Sequence, residues 1–202
     1  ELKFLKSQYH PHFLFNALNT VYFQIDESNK APRRTLEMIS ELLRYQLYGG
    51  NQKVSILQEI DYLKTYIALR KLRNPNMPLR GLGYFARLYE DYVRLNELNI
   101  YPLLFLPLVE NAFKYVGGDY QLDIIMKWEN NRISLFIRNS IPELSAEDEA
   151  LRKSVDERQR KGIGLVNLRR RLSLLYPNKH RLETRKEETE FVAELMIEIE
   201  DI

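Results

Sequence analysis

Residues 122–138 read LDIIMKWENNRISLFIR, and this stretch decides that the chain is not an all-helical protein. Leu122–Trp128 and Arg132–Arg138 are rich in aliphatic and aromatic side chains, which pack well on a pleated surface. Between them stands Asn130-Asn131. Asparagine tolerates the left-handed backbone that a two-residue hairpin turn demands. The stretch therefore predicts an antiparallel hairpin. Further strands are predicted near Arg181–Arg185 and Glu190–Ile199. Tyr84–Tyr92 and Asn96–Tyr101 are aromatic and aliphatic enough to be read as strands too.

Toward the N-terminus the period becomes helical. A first helix is predicted from about Leu2 to Ile25, with Leu14, Leu18, Val21 and Ile25 on one face, widened by Phe15 and Tyr22. His12, Asn16 and Asn19 fall on the roughly opposite face, so an imidazole shown to solvent with the apolar stripe buried behind it is expected. Pro11, inside this helical pattern, removes a hydrogen bond and predicts a kink. Ser28 and Asn29 offer a cap for a second helix, with Pro32 near its first turn, Leu36, Ile39, Leu43 and Leu47 as its stripe, and Gly49-Gly50 as its stop. Ser55 and Gln58 read as a capping box. The third helix that follows turns Ile60, Leu63 and Ile67 inward and ends before Asn74-Pro75. Pro102 is read as opening a helix through about Tyr115, and another covers Val166–Leu175. Residues 140–161 are polar, charged and poorly patterned, which predicts a long loop, functional or disordered. The fold class is α+β, a helical hairpin followed by a sandwich of sheet and helices.

Composition excludes several chemistries. With 30 basic and 28 acidic residues the net charge is +2, which gives no reason to expect a nucleic acid partner. There is no cysteine, so disulfides, zinc-thiolate sites and thiol catalysis are out. No apolar run approaches the ~18 residues that span a bilayer. The chain opens at Glu1 within a helical pattern and without an initiator methionine, so it reads as a fragment of a longer protein.

Three clusters carry chemistry. His12, flanked by small amides, is a usable nucleophile, because neutral imidazole attacks phosphorus well and phosphohistidine holds a reactive phosphoryl group. Glu110, Asn111 and Lys114 lie within one helical turn. An amide oxygen can hold magnesium, a carboxylate can orient water or a proton, and a lysine can meet phosphates. Lys161-Gly-Ile-Gly-Leu-Val-Asn-Leu-Arg-Arg-Arg171 puts two glycines at a helix start, where free N–H groups can receive phosphate oxygens.

Together these clusters resemble the LytS-type sensor histidine kinases, whose ATP-binding domain has the GHKL ATPase fold, and the resemblance covers nearly the whole chain. Pro11-His12-Phe13-Leu14-Phe15-Asn16 resembles the family's phosphoacceptor motif, Pro107–Lys114 its N-box, and Gly162–Leu172 its second glycine box. Leu42–Tyr45 and Tyr66–Arg73 resemble the helical segments between. The resemblance implies a dimerising phosphoacceptor region over residues 1–73. Over 76–202 it implies an ATP-binding domain with a mixed sheet and helices on one face. It makes His12 the acceptor, with Glu110 as a candidate general base, and Asn111 the magnesium ligand. Lys114 would approach phosphate, Gly162 and Gly164 would shape a lid hinge, and Arg169 would contact the nucleotide. Where the family carries an adenine-binding aspartate, this chain has Asn139 followed by Ser140-Ile141-Pro142, and an amide oxygen can still accept from the adenine amine.

ATP and Mg2+ are the implied cofactors. A second copy of the chain and a response regulator, often of the LytTR type, are the implied partners. The implied setting is the cytoplasmic portion of a bacterial inner-membrane protein, anchored through an N-terminal region that this chain lacks. Two other readings of the same residues are a signalling scaffold with a degraded nucleotide site and a GHKL ATPase that does not use His12.

Overall fold

The computed structural model describes residues 11–48, 52–81, 88, 91–142 and 163–200. Helices α1 (Pro11–Gln24) and α2 (Lys30–Tyr48) pack together as a hairpin. Short-range chemistry sets the connection. The Asp26 carboxylate accepts from the Ser28 backbone N–H at 2.8 Å and from its hydroxyl at 2.5 Å. The Arg33 guanidinium donates to the Ile25 carbonyl at 2.9 and 3.1 Å and lies 4.7 Å from the Tyr22 ring centroid. Pro32 falls in the first turn of α2, where a missing N–H costs nothing. The kink expected at Pro11 involves residues 1–10, which lie outside the described ones, as does the Gly49-Gly50 stop.

One expectation for α1 is overturned. No residue of α1 is buried, and Leu14 and Val21 of the supposed inner stripe are 37% and 46% exposed. A lone helix pair covers only one flank of each helix, so the apolar stripe of α1 is left open within this chain.

The capping box is present as read. The Ser55 hydroxyl accepts from the Gln58 N–H at 3.2 Å, and the Gln58 side chain accepts from the Ser55 N–H at 3.0 Å. It starts α3 (Ile56–Arg73), which buries Ile56, Ile60, Leu63 and Ile67. The strand read over Tyr84–Tyr92 is not supported. Leu88 is helical and Tyr92 opens a short helix, α4 (Tyr92–Glu97), while residues 82–87, 89 and 90 lie outside the described ones. In α4 only Leu95 is buried, whereas Tyr92 and Val93 are 52% and 69% exposed, so composition suggested a strand where the burial follows one face of a helix. Of Asn96–Tyr101, only β3 (Asn99–Ile100) is extended, and it pairs antiparallel with β1 (Val54–Ser55). The next helix, α5 (Leu106–Tyr115), starts four residues later than read. Pro102 and Leu103 form a turn, with Leu103 in left-handed backbone at φ 59°, and Pro107 takes the first helical turn.

The main sheet joins β2 (Leu79–Arg80), β4 (Leu122–Glu129), β5 (Arg132–Ser140), β6 (His180–Lys186) and β7 (Glu190–Glu198) in the order β2-β4-β5-β7-β6. β2 pairs parallel with β4 and the other neighbours pair antiparallel, so the sheet is mixed. The β4–β5 hairpin closes with Glu129 opposite Arg132, and Asn130 and Asn131 take φ of 51° and 59°. Replacing Asn130 by valine is expected to cost about 1–2 kcal/mol in urea denaturation, because a β-branched side chain is strained in that backbone. Asn130→Gly should cost nothing there, and a loss equal to valine's would sink the turn argument.

Alternation along the strands places Ile124, Met126, Ile133, Leu135, Ile137, Ala193, Leu195 and Ile197 in the core, against Leu108, Val109 and Ala112 of α5 and Leu168 and Leu172 of α6 (Ile163–Leu175). On the other face, Asp123 accepts from Arg138 at 2.6 and 3.0 Å and meets Arg80 at 3.4 Å. The core runs without a break from α3 into the sheet, across the 73/76 division read from the sequence.

Candidate functional site

His12 lies in the first turn of α1 and is exposed. Its Nδ1 is 3.1 Å from the Asn16 side-chain amide, one helical turn on. The amide orientation selects the tautomer. Asn16 Nδ2 donates to Nδ1, which leaves the proton of the neutral ring on Nε2.

Glu110, Asn111 and Lys114 all project from α5, whose start is shaped by the turn at residues 102–105. Glu110 faces Tyr62, Tyr66 and Arg70 of α3. The two helices meet through Phe113, whose ring centroid lies 6.4 Å from that of Tyr66 and 5.3 Å from the Arg70 guanidinium. Loss of hydration on this crowded face pushes the Glu110 carboxyl above its ordinary range, and Arg70 pulls it back in part. A carboxyl raised on folding is most favourable below its unfolded pKa, and that contribution falls as pH climbs through the folded value. In a carbon-detected NMR titration the Glu110 carboxyl is therefore expected to titrate above the ordinary glutamate midpoint. Arg70→Met should move it higher still; a downward move would refute the Arg70 contact. Lys114 is exposed, with its ammonium 5.0 Å from the Tyr115 ring centroid.

Asn139 sits near the end of β5, the strand on which α5 packs. Its side chain is on the helix-covered face and is 1% exposed. Nδ2 donates to the Ser140 carbonyl at 3.2 Å, while Oδ1 is buried with no hydrogen-bond partner among the described residues. An orphaned acceptor of this kind costs about 1–3 kcal/mol. A ligand amine reaching Oδ1 removes that cost, so the residue fits an adenine amino group. The neighbouring backbone is held firmly. Ser140 Oγ donates to the Gly117 carbonyl at 2.6 Å and accepts from the Gln121 N–H at 2.8 Å. Among the described residues no cluster of three or more His, Asp or Glu exists to cage a metal. Magnesium is commonly held by few protein oxygens together with substrate phosphates, and a single amide oxygen from Asn111 is compatible with that arrangement.

The same regions are matched by known proteins. Residues 1–77 match the histidine kinase family. The chain is also 28% identical over 187 residues to Sensor protein kinase HptS of Staphylococcus aureus (strain USA300), covering 90% of this chain and 35% of that protein. It thus spans about a third of the length of the curated relatives it matches. Among solved structures, the catalytic domain of histidine kinase ThkA aligns at TM-score 0.43 and 15% identity, over 73% of this chain and 94% of that one. Acinetobacter baumannii histidine kinase AdeS aligns at TM-score 0.42 and 13% identity, over 95% and 96%. No helix among the described residues is long and apolar enough to cross a membrane.

The segment that matches the histidine kinase family also holds a residue that sequence reasoning passed over, Glu59, and two, Tyr45 and Arg70, that it placed in family-like helical segments without a role. Glu59 is fully buried and hydrogen-bonded, which no local pattern signals. Its only trace in the sequence is an acidic residue directly before the inward-facing Ile60.

The glycine cluster is only partly placed. Gly162 lies outside the described residues. Gly164 is the second residue of α6, exposed, and a Cβ there would meet nothing within 4 Å. Arg169 donates to the Leu182 carbonyl at 2.9 Å and to the Thr184 hydroxyl at 3.1 Å, so its guanidinium pins α6 to the edge strand β6.

Proposed function

We propose that this chain is the kinase core of a two-component sensor. It moves the γ-phosphoryl group of Mg-ATP to His12 and then to an aspartate of a response regulator, which the resemblance suggests is of the LytTR type. The observation that carries this reading is an exposed imidazole in Pro-His-Phe-Leu-Phe-Asn, within the segment that matches the histidine kinase family. In the transfer, a ring nitrogen of His12 forms the new N–P bond while the bond from the γ-phosphorus to the bridging oxygen breaks and ADP leaves. The ring proton is released to solvent or to Glu110. Catalysis of this kind rests on positioning and charge neutralisation.

The nucleotide would lie between α5 and the start of α6. Asn139 would accept from the adenine amine and Asn111 would hold magnesium. Lys114 and Arg169 would face phosphate, and Gly162 and Gly164 would leave the helix start open to it. Residues 1–73 would supply the acceptor and the dimer contact, and residues 76–202 the nucleotide site. A second copy of the chain would cover α1, where Phe13 and Phe23 are 74% and 77% exposed. Sensing would enter through a membrane-anchored region N-terminal to Glu1.

The test is incubation of the chain with γ-labelled Mg-ATP. Label that is acid-labile and base-stable supports the kinase. Nucleotide binding without label would favour a scaffold, and hydrolysis without labelled protein would favour a plain ATPase. Asn111→Asp is expected to abolish the thermal shift given by Mg-ATP. That shift is about 2.7 kcal/mol of stabilisation at ligand a hundredfold above Kd. An unchanged shift would remove Asn111 from the site.

A further inference from the structure

The turn that precedes α5 is held by an acid from another helix. Phe105 occupies the N-cap position of α5 and its carbonyl accepts from the Leu108 and Val109 N–H groups, while the amides of the turn before it need an acceptor from elsewhere. Glu59 of α3, fully buried, supplies it. Its Oε2 accepts from the Leu103 N–H at 2.9 Å and its Oε1 from the Leu104 N–H at 3.1 Å. Successive amides converging on one anion need an unusual backbone, which explains the left-handed Leu103. Burial raises the Glu59 carboxyl, and these donors oppose the rise.

Two further elements clamp the same turn. Arg171 of α6 donates to the Pro102 carbonyl at 2.7 Å, and the Tyr176 hydroxyl accepts from the Tyr101 N–H at 3.1 Å. The last partner of Glu59 comes from the hairpin. The Tyr45 hydroxyl of α2 donates to Oε2 at 2.5 Å, and the Tyr45 ring stacks on Tyr62 of α3 with centroids 4.5 Å apart.

We propose that Glu59 is a positioning residue: it caps the turn that aims Glu110 and Asn111 and, through Tyr45, ties that turn to the hairpin bearing His12. This inference rests on the kinase reading for its consequence, though not for its geometry. A shift of α2 that breaks the Tyr45 contact leaves the carboxylate with one donor fewer and loosens the turn. Hairpin movement thereby reaches the nucleotide-site helix through one buried side chain.

Two variants of the whole chain test it. Tyr45→Phe deletes a hydroxyl and keeps the stacked ring, and Glu59→Gln keeps the shape but loses the anion. Without nucleotide, amide exchange at Leu103 and Leu104 should speed about fivefold in Tyr45→Phe and more in Glu59→Gln, with the β4–β5 amides unmoved. With Mg-ATP, transfer to His12 in Tyr45→Phe should fall about fivefold while nucleotide affinity stays within about twofold, since only the aim of the helix is altered. A merely structural role would slow no transfer in so mild a variant. Unchanged exchange at Leu103 and Leu104 overturns the proposal, as does unchanged transfer in a variant whose exchange has changed. If the unaltered chain gives no label while exchange responds as stated, the capping contact stands and the kinase reading is what fails.

Discussion

His12→Ala is expected to abolish acid-labile labelling from γ-labelled Mg-ATP while leaving the thermal shift with nucleotide intact. No residue of α1 is buried, so removing an exposed imidazole from it creates no cavity and, among the described residues, breaks only the Asn16 hydrogen bond. Loss of label therefore reports loss of the nucleophile, not of the fold. The expected drop is to background, because the reading makes the His12 ring nitrogen the acceptor. His10 is the informative control. It stands two residues away in sequence, and His10→Ala should retain the label. Asn16→Ala should label more slowly, since the amide that sets the ring tautomer is gone. Full labelling in His12→Ala would end the kinase reading, and loss in His10→Ala alone would move the acceptor.

The largest stability effect is expected at Phe105. It is fully buried and stands at the head of α5, directly after the turn that Glu59 holds. Phe105→Ala should cost about 3–5 kcal/mol in urea denaturation, through lost burial and a cavity that the clamped turn cannot collapse into. For a domain worth about 5–15 kcal/mol in total, that is a large part of the margin. Phe105→Leu keeps most of the volume and should cost about 1.5 kcal/mol or less. A loss below about 1 kcal/mol for alanine would mean that the turn is free to repack, and the rigid capping argument for Glu59 would weaken with it. The slope of the denaturation line should stay constant, because the surface exposed on unfolding is nearly unchanged.

Short-range rules account for much of what could be read in advance. The Asn130-Asn131 turn, the Ser55–Gln58 capping box and the strands near Arg181–Arg185 and Glu190–Ile199 all rest on chemistry within a few residues, and the structure holds each of them. The strand reading over Tyr84–Tyr92 rests on aromatic content in place of period, and at its end Tyr92 is an exposed residue of α4. The candidate residues of α5 stand out by helical spacing, and Asn139 by the resemblance to a family that carries an aspartate there, but the orphaned state of its oxygen is beyond any local pattern.

By itself, the sequence determined the Asn130-Asn131 hairpin turn, the Ser55–Gln58 cap and the family that the first 77 residues match. Only the tertiary structure decided that Glu59 would meet the amides of Leu103 and Leu104, more than forty positions away, with Tyr45 on its other side. The physical reason is the range of the forces involved. Turn and cap preferences act between near neighbours along the chain, whereas a buried carboxylate takes its partners from whatever donors the packed core carries to it.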